Sequence, residues 1–154
     1  MHRFVATAAL AAVVVAAPAA HASVVRNFNL VTIADLDSRS NVEGRAFIGR
    51  DLLGTSSDYA TKLDAGAFAG VDTLVVGRNL SVQNIQLQAG NLRIGGTRTG
   101  NVNFNGGGQQ INDPGVGAVA SQLGAELNAL STSLRSLAAN STIVTPQNQS
   151  NVRR

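Results

Sequence analysis

The chain has no cysteine, no tryptophan, one tyrosine and one lysine, and its two histidines are His2 and His21. Without cysteine there is no disulfide, no thiolate nucleophile and no zinc–thiolate site, so stability must come from burial and backbone pairing. Both histidines fall within a leader. The rest of the chain therefore lacks an imidazole base, a Ser-His-Asp triad and a histidine metal ligand. Aromatic residues make up only 4% of the chain, which leaves no stacking platform of the kind sugar and nucleic-acid grooves use. The net charge of +3 is spread out, with no basic run before Arg153 and Arg154, so nucleic acid is excluded as a partner. A membrane anchor is weighed against a cleaved signal and disfavoured. The one apolar run, Phe4 to Ala17, falls short of the roughly 20 residues a spanning helix needs, and Pro18 interrupts it.

That run sits between a basic start at His2 and Arg3 and a small-x-small site at Ala20-His21-Ala22, the layout of an export signal. Residues 1–22 are read as the signal. Its removal leaves 132 of the 154 residues and a net charge of +2, enough chain for one modest domain with a single core. The domain is assigned to residues 23–145 and a polar, disordered tail to 146–154.

The centre of that domain is Asp72 to Gly100. Leu74, Val76, Leu80 and Val82 alternate with polar residues in one phase, Ile85, Leu87 and Ala89 in the other, and Leu92 and Ile94 return to the first. Side chains on one strand change faces with period two, so phase flips at Gln83-Asn84 and Gly90-Asn91 predict short strands joined by corners. Leu74-x-Val76-Gly77 recurs eighteen positions later as Leu92-x-Ile94-Gly95, and upstream as Ala46-x-Ile48-Gly49. Such repetition predicts a mainly β fold, a short β-solenoid with one amphipathic helix packed alongside.

Residues 23–33 read as an entry strand, 34–44 as a polar turn segment, and 54–70 as an inserted loop that makes the first spacing twenty-eight rather than eighteen. Asn101 to Asn105 is a further strand. Asp113 is a suitable N-cap and Pro114 a first helical residue. Val116, Val119, Leu123, Leu127, Leu130, Leu134 and Leu137 then recur at steps of three and four, predicting a helix over 114–139 with one apolar face. Thr142 to Thr145 is read as a last strand.

Chemistry-bearing residues are few. Asp35, Asp37, Asn41 and Glu43 offer oxygen ligands for calcium, but they lack the glycine and spacing of an EF-hand loop, and a corner with Asx-turns accounts for them. The glycine clusters at 95–100 and 106–108 match neither a dinucleotide fingerprint nor a P-loop and read as corners. Tyr59, Lys62 and Asp64 are the notable side chains of the inserted loop and form the one candidate binding patch. No catalytic, cofactor-binding or metal residue is assigned, and no cofactor is expected.

Several segments resemble one family. Phe28 to Ile33, Asn41 to Leu52 (NVEGRAFIGRDL), Leu74 to Leu80, and the helix running into Leu137 to Val144 are similar, in this order, to the choice-of-anchor A family of bacterial surface proteins. The resemblance implies an exported, adhesin-like solenoid held at the cell surface by a C-terminal sorting signal, and it implies no catalytic residue. Two departures are that family domains continue past the helix with further coils and that no anchor precedes Arg154. A truncated or short secreted form is therefore expected, with self-association through an exposed solenoid edge.

The function expected is that of a non-catalytic exported protein, extracellular or at the cell surface, whose partner is an extracellular polymer, matrix or cell-surface component. One alternative is an ice- or crystal-surface binder, for which only Thr97-x-Thr99 offers a threonine array. Another is a carboxylate-dependent polysaccharide-degrading enzyme using Asp51 or Asp72.

Overall fold

The computed structural model describes residues 24–137. The expected signal at 1–22, the expected strand at 142–145 and the expected tail at 146–154 lie outside the described residues. Nine strands are followed by one helix: β1 (Leu30–Thr32), β2 (Leu36–Ser38), β3 (Ala46–Ile48), β4 (Leu52–Tyr59), β5 (Asp72–Val76), β6 (Leu80–Leu87), β7 (Asn91–Ile94), β8 (Arg98–Phe104), β9 (Gln110–Asn112) and α1 (Val116–Arg135). Odd strands form one sheet in the order β1-β3-β5-β7-β9, and even strands form a second in the order β2-β4-β6-β8. Every pairing is parallel.

The chain thus alternates between two sheets, and each circuit stacks on the one before it. The fold is mainly β with parallel sheets and one helix at the end, an arrangement consistent with a β-helix-like fold. Register gives the circuit lengths directly. Leu30 pairs with Ala46, Ala46 with Leu74, Leu74 with Leu92, and Leu92 with Gln110. The steps are therefore 16, 28, 18 and 18 residues.

The core lies between the sheets. Ala46, Ile48, Leu74, Val76, Leu92 and Ile94 from one sheet meet Leu52, Leu80, Val82, Ile85 and Leu87 from the other, all at 1% exposure or less. Intervening residues of the five-stranded sheet point outward, and Phe47 and Val75 are buried there under Val116, Ala120 and Leu123 of α1. The helix runs back over the sheet. Its Gly117 lies by Gly77 in the third circuit, and its Gly124 by Ile33 in the first. Beyond that point Leu127, Leu130, Leu134 and Leu137 are 40–66% exposed.

Corners are built from side-chain ladders. Asp35 Oδ1 accepts the amide of Asp51 at 3.0 Å, Asp51 Oδ1 that of Asn79 at 3.0 Å, and Asn79 Oδ1 that of Thr97 at 3.0 Å. Each circuit thereby satisfies a backbone donor of the next, which a turn would otherwise leave unpaired. The NVEGRAFIGRDL segment is explained by the same economy. Its Arg45 donates to Asp72 O at 3.0 Å and Asn27 O at 3.2 Å, its Gly49 stacks under Gly77, and its Asp51 carries the corner.

Several boundaries differ from the sequence expectations. Only 30–32 of the entry segment is strand, and residues 24–27 are helical. Val24 packs with Val116, Ala120 and Leu123 against the outer face of the sheet, a position an inward-pairing strand does not reach. The polar segment 34–44 contains β2, because Leu36 pairs with Leu52 and Ser38 with Gly54. The flip at Gln83-Asn84 is not a corner between strands. β6 runs straight through it, with a register shift against β8 between Ser81 and Asn84, so that Val82 and Ile85 both face inward. β4 keeps the same step and continues to Tyr59, which moves the insertion to residues 61–70. The helix starts at Val116 rather than Pro114. Asp113 is not its N-cap, since that carboxylate bonds the Gly115 amide at 2.9 Å and Arg93 at 3.0 Å.

Candidate functional site

Among the described residues no helix lies over the outer face of the four-stranded sheet. Register places Ser81 beside Thr99, Asn84 beside Asn101 and Gln86 beside Asn103 across β6 and β8, while Ser56 and Asp58 on β4 extend the second and third rows. Each of these side chains is exposed or half-exposed. Adjacent strands lie about 4.8 Å apart and same-face residues about 6.6 Å apart along a regular strand, so the second and third rows form a regular patch, set off from the Ser81–Thr99 row by the register shift between Ser81 and Asn84.

The grid is held by its own hydrogen bonds. Thr99 Oγ1 donates to Ser81 Oγ at 3.1 Å. Asn101 and Asn103 both donate to Asn84 Oδ1, at 3.2 and 3.1 Å, and Asn101 donates to Asn103 Oδ1 at 2.9 Å. Asn105 donates to Gln86 Oε1 at 2.9 Å and Gln88 Oε1 at 3.3 Å. Each such bond fixes a side chain that would otherwise lose rotamer freedom on contact with a partner, so the face is pre-ordered for binding. Among the described residues Leu53, 38% exposed, is the one large apolar side chain on it. These rows are not anticipated from the repeat. Their signal was the polar half of the alternation, above all Asn101, Asn103 and Asn105 around Val102 and Phe104.

The patch expected from sequence is not assembled. Tyr59 is fully buried in the core, where burial pushes its hydroxyl pKa up and nearby Ser38 offsets only part of that shift. It faces inward because β4 extends to it, so it cannot touch a ligand at the surface. Asp64 is exposed and accepts the Ala67 amide at 2.7 Å, closing a turn of the insertion. Lys62 is exposed and lines an open cavity of about 510 Å³ with Asn41, Glu43, Asp58, Thr61 and Gln88. The calcium candidates are dispersed: Asp37 pairs with Arg39 at 3.1 Å, Asp35 is part of the corner ladder, and Asn41 and Glu43 line the cavity. Among the described residues no group of three or more acidic or histidine side chains is placed to hold a metal ion.

Asp51 and Asp72 are both engaged. Arg78 Nε donates to Asp51 Oδ1 at 3.1 Å, and Arg93 Nε donates to Asp72 Oδ2 at 2.7 Å. Asp51 follows β3 and Asp72 begins the parallel neighbour β5, so the two lie at opposite ends of the sheet. Several residues of strand separate them, roughly 3.3 Å each, beyond the reach of a paired-carboxylate mechanism. The Arg78 hydrogen bond, then the Asn79 amide, holds the Asp51 carboxyl below its ordinary value of 3.8. A carboxylate with a lowered folded pKa contributes stability that is present above its unfolded pKa and lost as pH falls through the folded one. Acid titration of melting temperature should therefore show a decline below pH 3.8. Asp51→Asn should lower the melting temperature at neutral pH and flatten that decline.

Thr97-x-Thr99 is divided between two settings. Thr97 stands at a corner, its amide and hydroxyl both donating to Asn79 Oδ1 at 3.0 Å, and only Thr99 is on the sheet face.

A family model described as "Putative Ice-binding-like adhesive domain" matches residues 21–153. The chain belongs to that family. Membership in an adhesive, ice-binding-like family implies binding to external surfaces and suggests a surface or extracellular setting. The match does not name the choice-of-anchor A group that the Asn41 to Leu52 segment resembles. No curated protein and no solved structure matches the chain. Among the described residues no helix of this adhesive domain is long and apolar enough to cross a membrane.

Proposed function

We propose that the chain is an exported, non-catalytic, adhesin-like β-solenoid of the choice-of-anchor A kind, and that the outer face of its four-stranded sheet binds an extracellular polymer or cell-surface component. The observation that carries this is the grid of Ser, Thr, Asn and Gln side chains across β4, β6 and β8. Such a face offers many directed donors and acceptors and little apolar area, which suits a hydrated polymer better than a hydrophobic protein partner. Engagement of Asp51 and Asp72 in ion pairs with Arg78 and Arg93 supports a role without catalysis.

The test is retention of labelled full chain on collagen, polysaccharide-coated surfaces and whole cells. Ser81→Lys combined with Asn101→Lys puts two long cations on exposed positions of the face, at a cost to stability within about 0.5 kcal/mol each. Retention should fall by roughly tenfold for the double variant, as expected when several polar contacts are lost. Equal retention would place binding elsewhere.

Binding to ice or a mineral lattice is a second reading, favoured by the same regular spacing and by the family's description. The amides of the grid bond one another rather than standing free, which favours the polymer. Thermal hysteresis above that of a control protein would reverse the preference. Self-association would use the β1–β2 edge, where Leu30, Leu36 and Val42 are only partly buried. At the β8–β9 edge the corresponding register positions are Gln110, Arg98 and Phe104, and the polar and charged members of that set discourage stacking.

A further inference from the structure

One end of the polar grid leads into the 510 Å³ cavity, and three parts of the chain are stitched together around it. Val42 donates its amide to Asp58 O at 2.8 Å, Lys62 to Glu43 O at 2.9 Å, and Gln88 to Tyr59 O at 3.0 Å. These bonds tie the first corner, the end of β4 with the start of the insertion, and the end of β6 into one wall. Behind it sits fully buried Tyr59. The cavity is thus a built feature of the stack, and its volume is within the range of small-molecule sites.

Its lining is made only of hydrogen-bonding side chains: Asn41, Glu43, Asp58, Thr61, Lys62 and Gln88. Two carboxylates can each accept a pair of neighbouring hydroxyls. Lys62 and the two amides supply donors, and Thr61 can act either way. No aromatic ring is present, so selection must come from directed hydrogen bonds rather than stacking. The carboxylates outnumber the single amine, which repels a second acid. Continuity with the grid is direct, because Asp58 pairs in register with Gln86 and Gln86 with Asn103, while Gln88 accepts from Asn105.

We propose that this cavity is a saccharide subsite that takes one hydroxyl-rich, non-acidic sugar unit at the end or branch of a polysaccharide lying along the sheet. The second half of that statement rests on the adhesive reading; the cavity's preference for a non-acidic sugar does not. The ten-residue insertion at 61–70 supplies Thr61 and Lys62, so the longest circuit of the stack contributes two side chains to the subsite.

The experiment is titration calorimetry of the full chain with oligosaccharides of dextran, mannan and galactan, and with oligogalacturonate as the acidic counterpart. At least one neutral oligosaccharide should bind saturably, and oligogalacturonate should not. Asp58→Asn and Lys62→Met should each weaken binding by roughly tenfold, the loss of one hydrogen bond to a charged group, with melting temperatures unchanged. The proposal is overturned if no neutral oligosaccharide binds, if oligogalacturonate binds as well, or if both variants bind normally. Surface retention separates this from the face reading. Retention lost in the Ser81→Lys, Asn101→Lys variant but kept without neutral-sugar binding overturns the cavity alone. Neutral-sugar binding kept by that variant together with its surface retention supports the cavity and removes the face.

Discussion

Gly77→Ala should unfold the protein or bring it to the edge of unfolding. A Cβ at position 77 would lie 2.0 Å from the carbonyl oxygen of Gly49 and 2.7 Å from its carbon, and a Cβ at Gly95 would meet the oxygen of Gly77 at 2.2 Å. These are backbone atoms of adjacent circuits, so no side chain can swing aside. Relief requires spreading the stack by more than 1 Å where Ile48, Val76 and Ile94 are packed without exposure. Overpacking alone costs 1–3 kcal/mol, and breaking parallel pairing on both sides adds to it, so a loss of about 3 kcal/mol or more is expected. Native proteins hold only about 5–15 kcal/mol in total. Gly70 is the internal control. It has φ +76° but nothing within 4 Å of a Cβ, so Gly70→Ala should cost only the left-handed penalty of about 1–2 kcal/mol. Urea unfolding of both variants followed by circular dichroism gives the comparison, and equal losses would mean that the circuits are not stacked through these glycines.

Leu80→Ala is expected to be the second most damaging change. Leu80 is fully buried in β6, in register with Leu52 on one side and Arg98 on the other. Truncation removes its methyl groups from the core and leaves a cavity that parallel strands, paired on both edges, cannot collapse to fill. Losses of about 2–5 kcal/mol accompany such substitutions. Leu53 is the adjacent residue on the neighbouring strand and faces outward at 38% exposure. Leu53→Ala should stay within about 1 kcal/mol, because over a third of its surface is already in water and its truncation leaves no cavity between the sheets. The same urea titrations measure both, and a Leu53 effect as large as that of Leu80 would reverse the assignment of inner and outer faces.

The repeat was legible because its physical cause is local. Leu74-x-Val76-Gly77 and its copies at 46 and 92 encode two inward apolar residues and a glycine that the previous circuit's carbonyl forces. The eighteen-residue step and the ten-residue insertion follow from the same alignment. What misled was the meaning of a phase flip. At Gly90-Asn91 it is a corner, with Gly90 at φ +69°; at Gln83-Asn84 it is an irregularity within β6, and the apolar pattern is the same in both cases. Tyr59 was assigned to a loop for that reason, since the flip in β4 falls at Gly54 to Ser56 and hides the inward alternation of Ser57 and Tyr59. The polar grid went unread because its residues are common in turns, and only cross-strand register shows Asn84 beside Asn101 and Gln86 beside Asn103.

The helix shows how far periodicity alone carries. Its steps of three and four hold from Val116 to Leu137, yet only the residues up to Gly124 cover the sheet. A helix rises 1.5 Å per residue while strands stack about 4.8 Å apart. About six or seven helical residues therefore span the two strand spacings from β5 to β1, as the step from Gly117 beside Gly77 to Gly124 beside Ile33 shows.

Hydrogen–deuterium exchange of the full chain, free and bound to a polymer surface that retains it, locates the binding face directly. The account predicts slowed exchange confined to β4, β6, β8 and the turn at 61–63, with the five-stranded sheet and α1 unchanged. Protection centred on α1 or on β1, β3 and β5, with the four-stranded sheet exchanging as in the free protein, would contradict it.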